Sequence, residues 1–340
     1  MADYFLNLAK SDQREALEFA REKSGRPAHL LEKDIWVVWA LDALFSSQLT
    51  NDLTFKGGTS LSKVFKIIDR FSEDIDLTFD IRKLIPDLMV NGGELPASRS
   101  QANKWTKAVR SRLPLWITSV VVPILEQALK KSHLRAEIEL GGKENDKLFL
   151  HFSPLTKGTG YVAPVITLEF GGRASGEPHQ RHRVFCDIAE HLPTLSFPVA
   201  SPQVMNVSRT FWEKATAAHV FCAQGRIRSE RYARHWYDLV SIASNPGSET
   251  VINDRKTALA VAQHKSFFFS EKDAEGKTID YEAAASGGLR IIPTGMAKDA
   301  LENDYAAMLA DQIMIGHTIA FEELLNACAT IESRTNQKLL

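Results

Sequence analysis

The segment at residues 55–79, FKGGTSLSKVFKIIDRFSEDIDLTF, constrains the fold of this chain most strongly. A short apolar strand leads into Gly57 and Gly58, an amphipathic helical run follows, and the alternating stretch EDIDLTFD closes the segment. Residues two apart in a strand point to the same side, so Asp74 and Asp76 project together while their apolar neighbours face a core. The segment therefore predicts a strand–turn–helix–strand unit with two carboxylates on one face.

Beyond this unit the pattern changes from mixed α/β to mostly helical. Residues 13–47 read as two helices, and a long helical stretch at 98–132 contains Pro114 and Pro123, which should kink or split it. Residues 193–202, PTLSFPVASP, carry three prolines and no charge and suit a linker or a boundary loop. Further strands are predicted at AEIELGG, KLFLHFSP and APVITLEFGG, and further helices at 59–68, 210–223, 229–243, 251–265, 298–315 and 321–337. The predicted fold is α/β (α+β), with a mixed sheet core in residues 1–200 and a mostly helical domain in residues 201–340.

Composition limits the classes of partner. The 340 residues carry a formal net charge of -1, so nucleic-acid binding must come from local patches. The three cysteines, Cys186, Cys222 and Cys328, lack metal-ligand spacing and favour a reducing cytoplasm. We find no signal peptide and no run of about 18 apolar residues, so we expect a soluble cytoplasmic protein that does not cross a membrane.

The acid pair suggests metal chemistry. Asp74 and Asp76 lie about 7 Å apart at Cα by the strand rise, so both can bind one or two divalent cations. Mg²⁺ prefers such hard oxygen ligands and usually keeps substrate phosphates as further ligands. Glu169, on the strand VITLEFGG, is a candidate third carboxylate. The alternative is that this Asp-x-Asp is only the solvated face of a half-buried sheet.

The glycine turn suggests phosphate binding. Gly57 and Gly58 lack a Cβ atom, so a phosphate can approach the backbone and the N–H groups of the following helix. A Gly-Gly turn before a helix is also a common structural connection. Further candidate phosphate ligands are Lys56, Thr59, Ser60 and Lys63.

Together these motifs resemble the nucleotidyltransferase superfamily, whose core carries such a turn, an Asp-x-Asp strand and a later acidic strand. More narrowly, KGGTSLSKV and RFSEDIDL resemble the AbiEii/AbiGii branch, which includes toxins of abortive-infection toxin–antitoxin pairs and the MenT toxins. The segments LEKDIWVVWALDALF, FWEKATAAHVF and RHWYDL extend the resemblance over nearly the whole chain. The resemblance implies transfer of NMP from an NTP to an acceptor, which arrests growth.

By position, the resemblance also implies roles for single residues. Asp74 and Asp76 would bind Mg²⁺ as catalytic acids, with Glu169 as a weaker third ligand. Lys214 matches the motif-three lysine and Asp238 the motif-four aspartate, both of them catalytic. Ser72 matches a serine in the nucleotide site that the partner antitoxin modifies in some members. This branch separates the glycine turn from the acids more widely than the broad superfamily does. Lys56 and Lys63 therefore do not align with defined positions of the superfamily.

Local patterns around Lys214 and Asp238 add expectations of their own. Thr210 with Glu213 reads as a capping box, which would place Lys214 in the first turn of its helix. There a triphosphate would interact favourably with the lysine and the helix dipole. The alternative is a surface lysine paired with an acid.

The helix that carries Asp238 also carries arginines. Arg231, Arg234 and Asp238 are expected on one face, with Arg234 and Asp238 as an i, i+4 pair. Asp238 either orients Lys214 or an arginine toward the nucleotide, or forms only a helix salt bridge. His235 either assists a proton transfer or, as we expect, is a packed helix residue.

RNA is the leading acceptor by resemblance, since the MenT relatives modify the acceptor end of tRNA, and a cognate antitoxin is the expected protein partner. Basic residues spaced among aromatic ones can follow an RNA backbone, although such runs are usually solvated faces. Two alternatives stay open: transfer to a small molecule or a protein, and a non-catalytic nucleotide- or RNA-binding module. The basic clusters are Arg226, Arg228, Arg231 and Arg234; Lys104, Lys107, Arg110 and Arg112; and Arg173, Arg181 and Arg183.

Overall fold

The computed structural model describes residues 2–72, 74–89, 95–156, 163–226, 231–310, 314, 316 and 318–337. The chain forms two compact units. The first comprises Met1–Val64, Ser72–Glu94 and Trp105–Met205, and the second comprises Phe65–Phe71, Leu95–Lys104 and Asn206–Leu340. A domain boundary after residue 200 stays a prediction.

The first unit is built on a seven-stranded mixed sheet. The strands of the chain are β1 (Asp3–Tyr4), β2 (Leu53–Lys56), β3 (Asp74–Phe79), β4 (Ala136–Gly141), β5 (Lys147–Phe152), β6 (Val165–Gly171), β7 (His179–Arg181), β8 (Val184–Phe185), β9 (Leu195–Ser196), β10 (Val199–Ala200) and β11 (Gln203–Met205). The large sheet has the order β4-β5-β6-β3-β2-β11-β7, with β3 parallel to β6 and antiparallel to β2. This sheet confirms the predicted α/β class and its strand candidates, and the acid-bearing β3 is its central strand.

The helices agree with most of the predicted ones. They are α1 (Lys10–Ser24), α2 (Ala28–Phe45), α3 (Gly57–Lys63), α4 (Ile81–Leu84), α5 (Arg99–Trp116), α6 (Val122–Lys131), α7 (Val207–Gln224), α8 (Ala233–Ser244), α9 (Ser248–Ile252), α10 (Arg255–Phe268), α11 (Tyr281–Ala283), α12 (Met296–Ala310) and α13 (Phe321–Asn336). The helix predicted at 59–68 already ends at Lys63, and Lys66 then adopts a left-handed conformation with φ of 53°. The helix predicted at 251–265 is two helices, because Asp254 caps α10 by accepting a hydrogen bond from the Thr257 N–H.

The two prolines of the long helix do not break it. Residues 99–131 stay helical, and the π-helical turn Ile117–Val121 lies between Pro114 and Pro123. Helix kinks usually occur at prolines and at π-helical turns, so the predicted kink stays a prediction, whereas a split of the helix does not occur.

One side of this helix packs on the sheet of the first unit. The ring of Trp116 stacks on Phe79 of β3 with a centroid distance of 4.0 Å. By length and composition alone, Arg99–Lys131 is long and apolar enough to cross a membrane, which the sequence analysis did not expect. One such helix is weak evidence, because core helices of soluble proteins pass the same test.

The proline-rich stretch at 193–202 is not an unstructured linker. Its Leu195–Ser196 strand, β9, pairs with β1, and its Val199–Ala200 strand, β10, pairs with β8. The next strand, β11, joins the large sheet beside β2. The three prolines fall outside these strands, so the backbone donors that the pairing requires are retained.

Candidate active site

Asp74 and Asp76 point to the same side of β3, as the alternation predicted. Both are half-buried, whereas Ile75 and Leu77 are 0% and 1% exposed. The apolar face of the strand faces the core, and the opposite face carries the two carboxylates. Two partly exposed carboxylates are thus held by a rigid central strand.

The carboxylate of Asp76 lies directly against the glycine turn. Gly57 begins α3 with φ of 79°, and a Cβ atom built on it would stand 1.9 Å from Oδ2 of Asp76. Residue 57 must therefore be glycine for two reasons, the left-handed conformation and the close approach of the acid. The glycine turn and the Asp76 carboxylate are therefore in direct contact.

The two hydroxyls of the turn are used inside the protein. Thr59 and Ser60 are 1% and 0% exposed. The Ser60 hydroxyl donates to the carbonyl of Gly57 (2.8 Å), and the Thr59 hydroxyl donates to the carbonyl of Asp74 (2.5 Å) and lies 3.0 Å from the Ser72 hydroxyl. These contacts fasten the turn to β3. Their expected contact with phosphates stays a prediction that the burial of both hydroxyls does not favour.

Asp76 belongs to a row of charged side chains across four strands. In register, Lys56 of β2 faces Asp76 of β3, Asp76 faces Glu169 of β6, and Glu169 faces Lys147 of β5. Residues opposite each other in neighbouring strands share a face. The sequence analysis found three members of this row and missed Lys147, which the alternation of KLFLHF places on the same face.

Glu169 is in register for a third metal ligand, but its carboxylate forms an ion pair with Lys147. Among the residues that the structure describes, no group of three or more His, Cys, Asp or Glu side chains is arranged to hold a metal ion. The residues that fit a divalent cation are therefore the pair Asp74 and Asp76. Mg²⁺ is usually bound by one or two carboxylates and substrate phosphates, so two are enough.

Lys63 is unsuited to a phosphate. Its side chain is 5% exposed, and its ammonium binds Asp34 of α2 (2.5 Å) and Asp187 (2.8 Å). Burial opposes the charge of Lys63, but the two carboxylates outweigh it and raise the pKa of the ammonium. This lysine holds α3 on the first unit.

In the second unit, Asp238 of α8 binds two cations. Its carboxylate is 0% exposed and accepts two hydrogen bonds from the Arg70 guanidinium, both 2.8 Å long. The ammonium of Lys214 lies 2.9 Å from the same carboxylate. Burial alone would raise the pKa of Asp238, but Arg70 and Lys214 hold it far below its usual range.

This cluster carries an excess positive charge, because a guanidinium and an ammonium share one carboxylate. His235 adds no charge at neutral pH: burial, and then the charge of Lys214, lower its pKa to about 3. Lys214 is the more exposed of the two cations, with 11% of its side chain accessible against 3% for Arg70. The arrangement can bind an anion through Lys214.

Two local expectations around this cluster are wrong, and one residue of the cluster was not predicted. Asn206 caps α7 by accepting from the Ser208 N–H, so Thr210 and Glu213 form no capping box, and Lys214 lies beyond the first turn. Arg231 precedes α8 with φ of 71° and is not on its face. Arg70, part of the quoted RFSEDIDL, received no role because its partner is 168 residues away in the chain.

Several predicted basic residues are neutralised by local partners. Arg110 pairs with Glu144 (3.0 Å), and Arg112 makes a two-point ion pair with Asp87. Lys104 and Lys107 of α5 are exposed, as are Arg99 and Arg110 of the same helix. Elsewhere, Arg181 donates hydrogen bonds to Thr50, Asn51 and Ser201, and Arg183 lies over the ring of Phe185. Arg226 is exposed, whereas Arg173 and Arg234 are half-buried. Arg228 lies outside the described residues.

Comparisons with known proteins identify a family for this chain. The family model described as nucleotidyl transferase AbiEii toxin, type IV toxin–antitoxin system, matches residues 39–327. Among curated proteins, none matches the chain. Among solved structures, MenT4, a nucleotidyltransferase toxin from Mycobacterium tuberculosis H37Rv, aligns with 97% of this chain and 98% of its own, at 18% identity and a TM-score of 0.45. That structural likeness is too distant to assign a role to any residue.

Proposed function

We propose, from the premise that this chain belongs to the nucleotidyl transferase AbiEii toxin family of type IV toxin–antitoxin systems, that it transfers NMP from an NTP to a hydroxyl of RNA with the help of Mg²⁺. Membership of the family makes it a nucleotidyltransferase toxin with an NTP substrate and an antitoxin partner. We add three properties to this: dependence on Mg²⁺, RNA as the acceptor, with tRNA as the first candidate, and a cytoplasmic location.

One observation carries the proposal: the Asp76 carboxylate lies against a turn that has no room for a Cβ atom at Gly57. A triphosphate can approach the backbone at Lys56 and Gly57, which are both partly exposed. Asp74 and Asp76 would hold Mg²⁺ beside it. When bound, the ion would neutralise charge on the phosphates and on the leaving pyrophosphate.

The protein's own groups would orient the nucleotide. Lys214 would bind phosphate oxygens with the excess positive charge of its cluster. Asp238 would fix the position of that ammonium, and Arg70 would keep Asp238 from cancelling the charge of Lys214 completely. Such fixed groups are effective because phosphoryl transfer depends mainly on positioning and on charge stabilisation.

In the reaction, the acceptor hydroxyl oxygen forms a bond to the α-phosphorus as the bond to the pyrophosphate oxygen breaks. The hydroxyl proton passes to solvent and pyrophosphate leaves. No side-chain nucleophile is needed. His235, with its lowered pKa, stays neutral and is not required as a proton donor.

Exposed basic residues support RNA as the acceptor. Lys104 and Lys107 lie one helical turn apart on α5 and are both exposed. Lysines in such positions bind phosphate groups without reading sequence. We expect binding of RNA to weaken as salt increases.

The test is to incubate the purified protein with Mg²⁺, total RNA and each of the four NTPs labelled at the α-phosphate. The Asp76→Asn variant is the matched inactive enzyme. A labelled RNA band with wild type and none with the variant supports the proposal. Label in protein or in a small product would instead favour another acceptor, and no label with any NTP would favour a non-catalytic module.

A further inference from the structure

Lys147 shares the charged row with Asp76, one of the two candidate metal acids. It is the first residue of β5 and faces Glu169 of β6, which in turn faces Asp76 of β3. The ammonium of Lys147 forms an ion pair with Glu169, and both side chains are about one-third exposed, at 33% and 35%. The pair therefore lies at the edge of the candidate metal site and not in the core.

The surroundings keep Lys147 charged. Partial burial disfavours the ammonium, but the hydrogen bond to Glu169 and the charges of Glu169, Asp74 and Asp146 outweigh it and raise the pKa of Lys147. Asp74 is one of the two acids assigned to Mg²⁺. The lysine thus acts electrostatically on a candidate metal ligand as well as on its direct partner.

An oxygen of Glu169 that binds an ammonium is less available to a metal ion. A further divalent ion beside Glu169 would also be repelled by the fixed charge of Lys147. Lys147 already neutralises the negative charge of Glu169, which a second metal ion would otherwise neutralise.

We propose that Lys147 is a positioning residue that limits metal binding at this site: it holds Glu169 and so leaves Asp74 and Asp76 as the protein ligands of the divalent ion. This inference rests on the proposed function. Lys147 touches neither nucleotide nor metal, and it acts through Glu169 and through its charge. Removing it makes the row one unit more negative and frees a third carboxylate.

The experiment is calorimetric titration of Mn²⁺, and then of Mg²⁺, into the nucleotide-free full chain. Lys147→Met is expected to bind Mn²⁺ roughly tenfold more tightly, the order expected for removing one like charge several ångströms away, or to bind one more ion. Lys147→Arg keeps the charge and is expected to bind like wild type. Lys143→Met, in the exposed turn between β4 and β5, is the matched control and is expected to change nothing.

A second arm makes the result independent of the folding of one variant. Glu169→Gln leaves the ammonium without its carboxylate and is expected to weaken Mn²⁺ binding. The double variant, with Lys147→Met and Glu169→Gln, is expected to return towards wild type. A lysine with only a structural role would lower the unfolding temperature and leave metal affinity unchanged.

Two results overturn the inference, and they can be told apart. If wild type binds Mn²⁺ in an Asp76-dependent way and Lys147→Met binds it equally, the role of Lys147 is wrong while the proposed function stands. If wild type shows no Asp76-dependent binding of Mn²⁺ or Mg²⁺, the metal dependence of the proposed function and this inference both fail.

Discussion

A Cβ atom on Gly57 would stand 1.9 Å from Oδ2 of Asp76, so the turn and the acid strand are shaped for each other. Gly57→Ala is expected to reduce transfer activity by at least about a hundredfold, because the new methyl group must displace the carboxylate that orients the metal and nucleotide. The measurement is the initial rate of label transfer at saturating NTP.

Gly225→Ala is the matched control for that variant. Gly225 ends α7 with φ of 61°, and a Cβ atom there would meet nothing within 4 Å. Both variants carry the cost of a left-handed alanine, about 1 kcal/mol, but only the first moves an acid. Equal activity of the two variants would contradict the assignment of Gly57.

Arg70 and Asp238 form a buried ion pair, in which the side chains are 3% and 0% exposed. Arg70→Met leaves Asp238 with Lys214 as its remaining cation, so the free energy of unfolding is expected to fall by roughly 3 kcal/mol. Urea denaturation measures this loss. In Arg334→Met, the lost ion pair with Glu249 is largely exposed on one side, and the expected change is under about 1 kcal/mol. Equal losses in the two variants would show that the Arg70 pair adds little.

Lys214 is expected to act on the nucleotide more than on stability. In Lys214→Met the excess positive charge of the cluster is lost, so the KM for NTP should rise by about tenfold. The exposed Lys256, on α10, is the control, and Lys256→Met should leave KM unchanged. Steady-state kinetics over a range of NTP concentrations measure both. An unchanged KM in Lys214→Met would remove this residue from the nucleotide site.

His219 makes stability depend on pH. Burial, and then the charge of Arg290, lower its pKa from 6.5 to about 4, while its Nδ1 atom accepts the Arg290 N–H. Between these values the unfolded chain binds a proton that the folded chain does not. The free energy of unfolding therefore falls as the pH drops from about 6.5 to about 4, by about 3 kcal/mol from this residue.

His219→Asn keeps an acceptor near Nδ1 but does not titrate. We expect its unfolding free energy to vary less with pH over this range than that of wild type. Urea denaturation at intervals from pH 7 to pH 4 gives the two slopes. Identical slopes would mean that His219 titrates normally in the folded protein.

The sequence predicted those parts of the site that depend on neighbours in the chain. The alternation of β3 placed Asp74 and Asp76 on one face. Gly57 and Gly58 predicted the tight turn from β2 into α3. In contrast, Asp238 also binds Arg70, and the spacing of residues gives no signal for a pair so distant in the chain.

Local sequence patterns also gave a wrong prediction where two residues could begin the same helix. Thr210 and Glu213 match a capping box, but Asn206 begins the helix one turn earlier and satisfies its N–H groups. The prolines of the long helix predicted a kink or a split, and residues 99–131 stay helical through a π-helical turn between the prolines, so the helix is not split.

The most direct test of the central claim compares label transfer from α-labelled NTP to RNA by wild type, Asp76→Asn and Asp87→Asn, with Mg²⁺. Asp87 is an acid of the same unit that pairs with Arg112 on the surface. We predict that Asp76→Asn loses at least about a thousandfold in rate, while Asp87→Asn retains the wild-type rate. Transfer by Asp76→Asn at a rate near that of wild type would contradict the account.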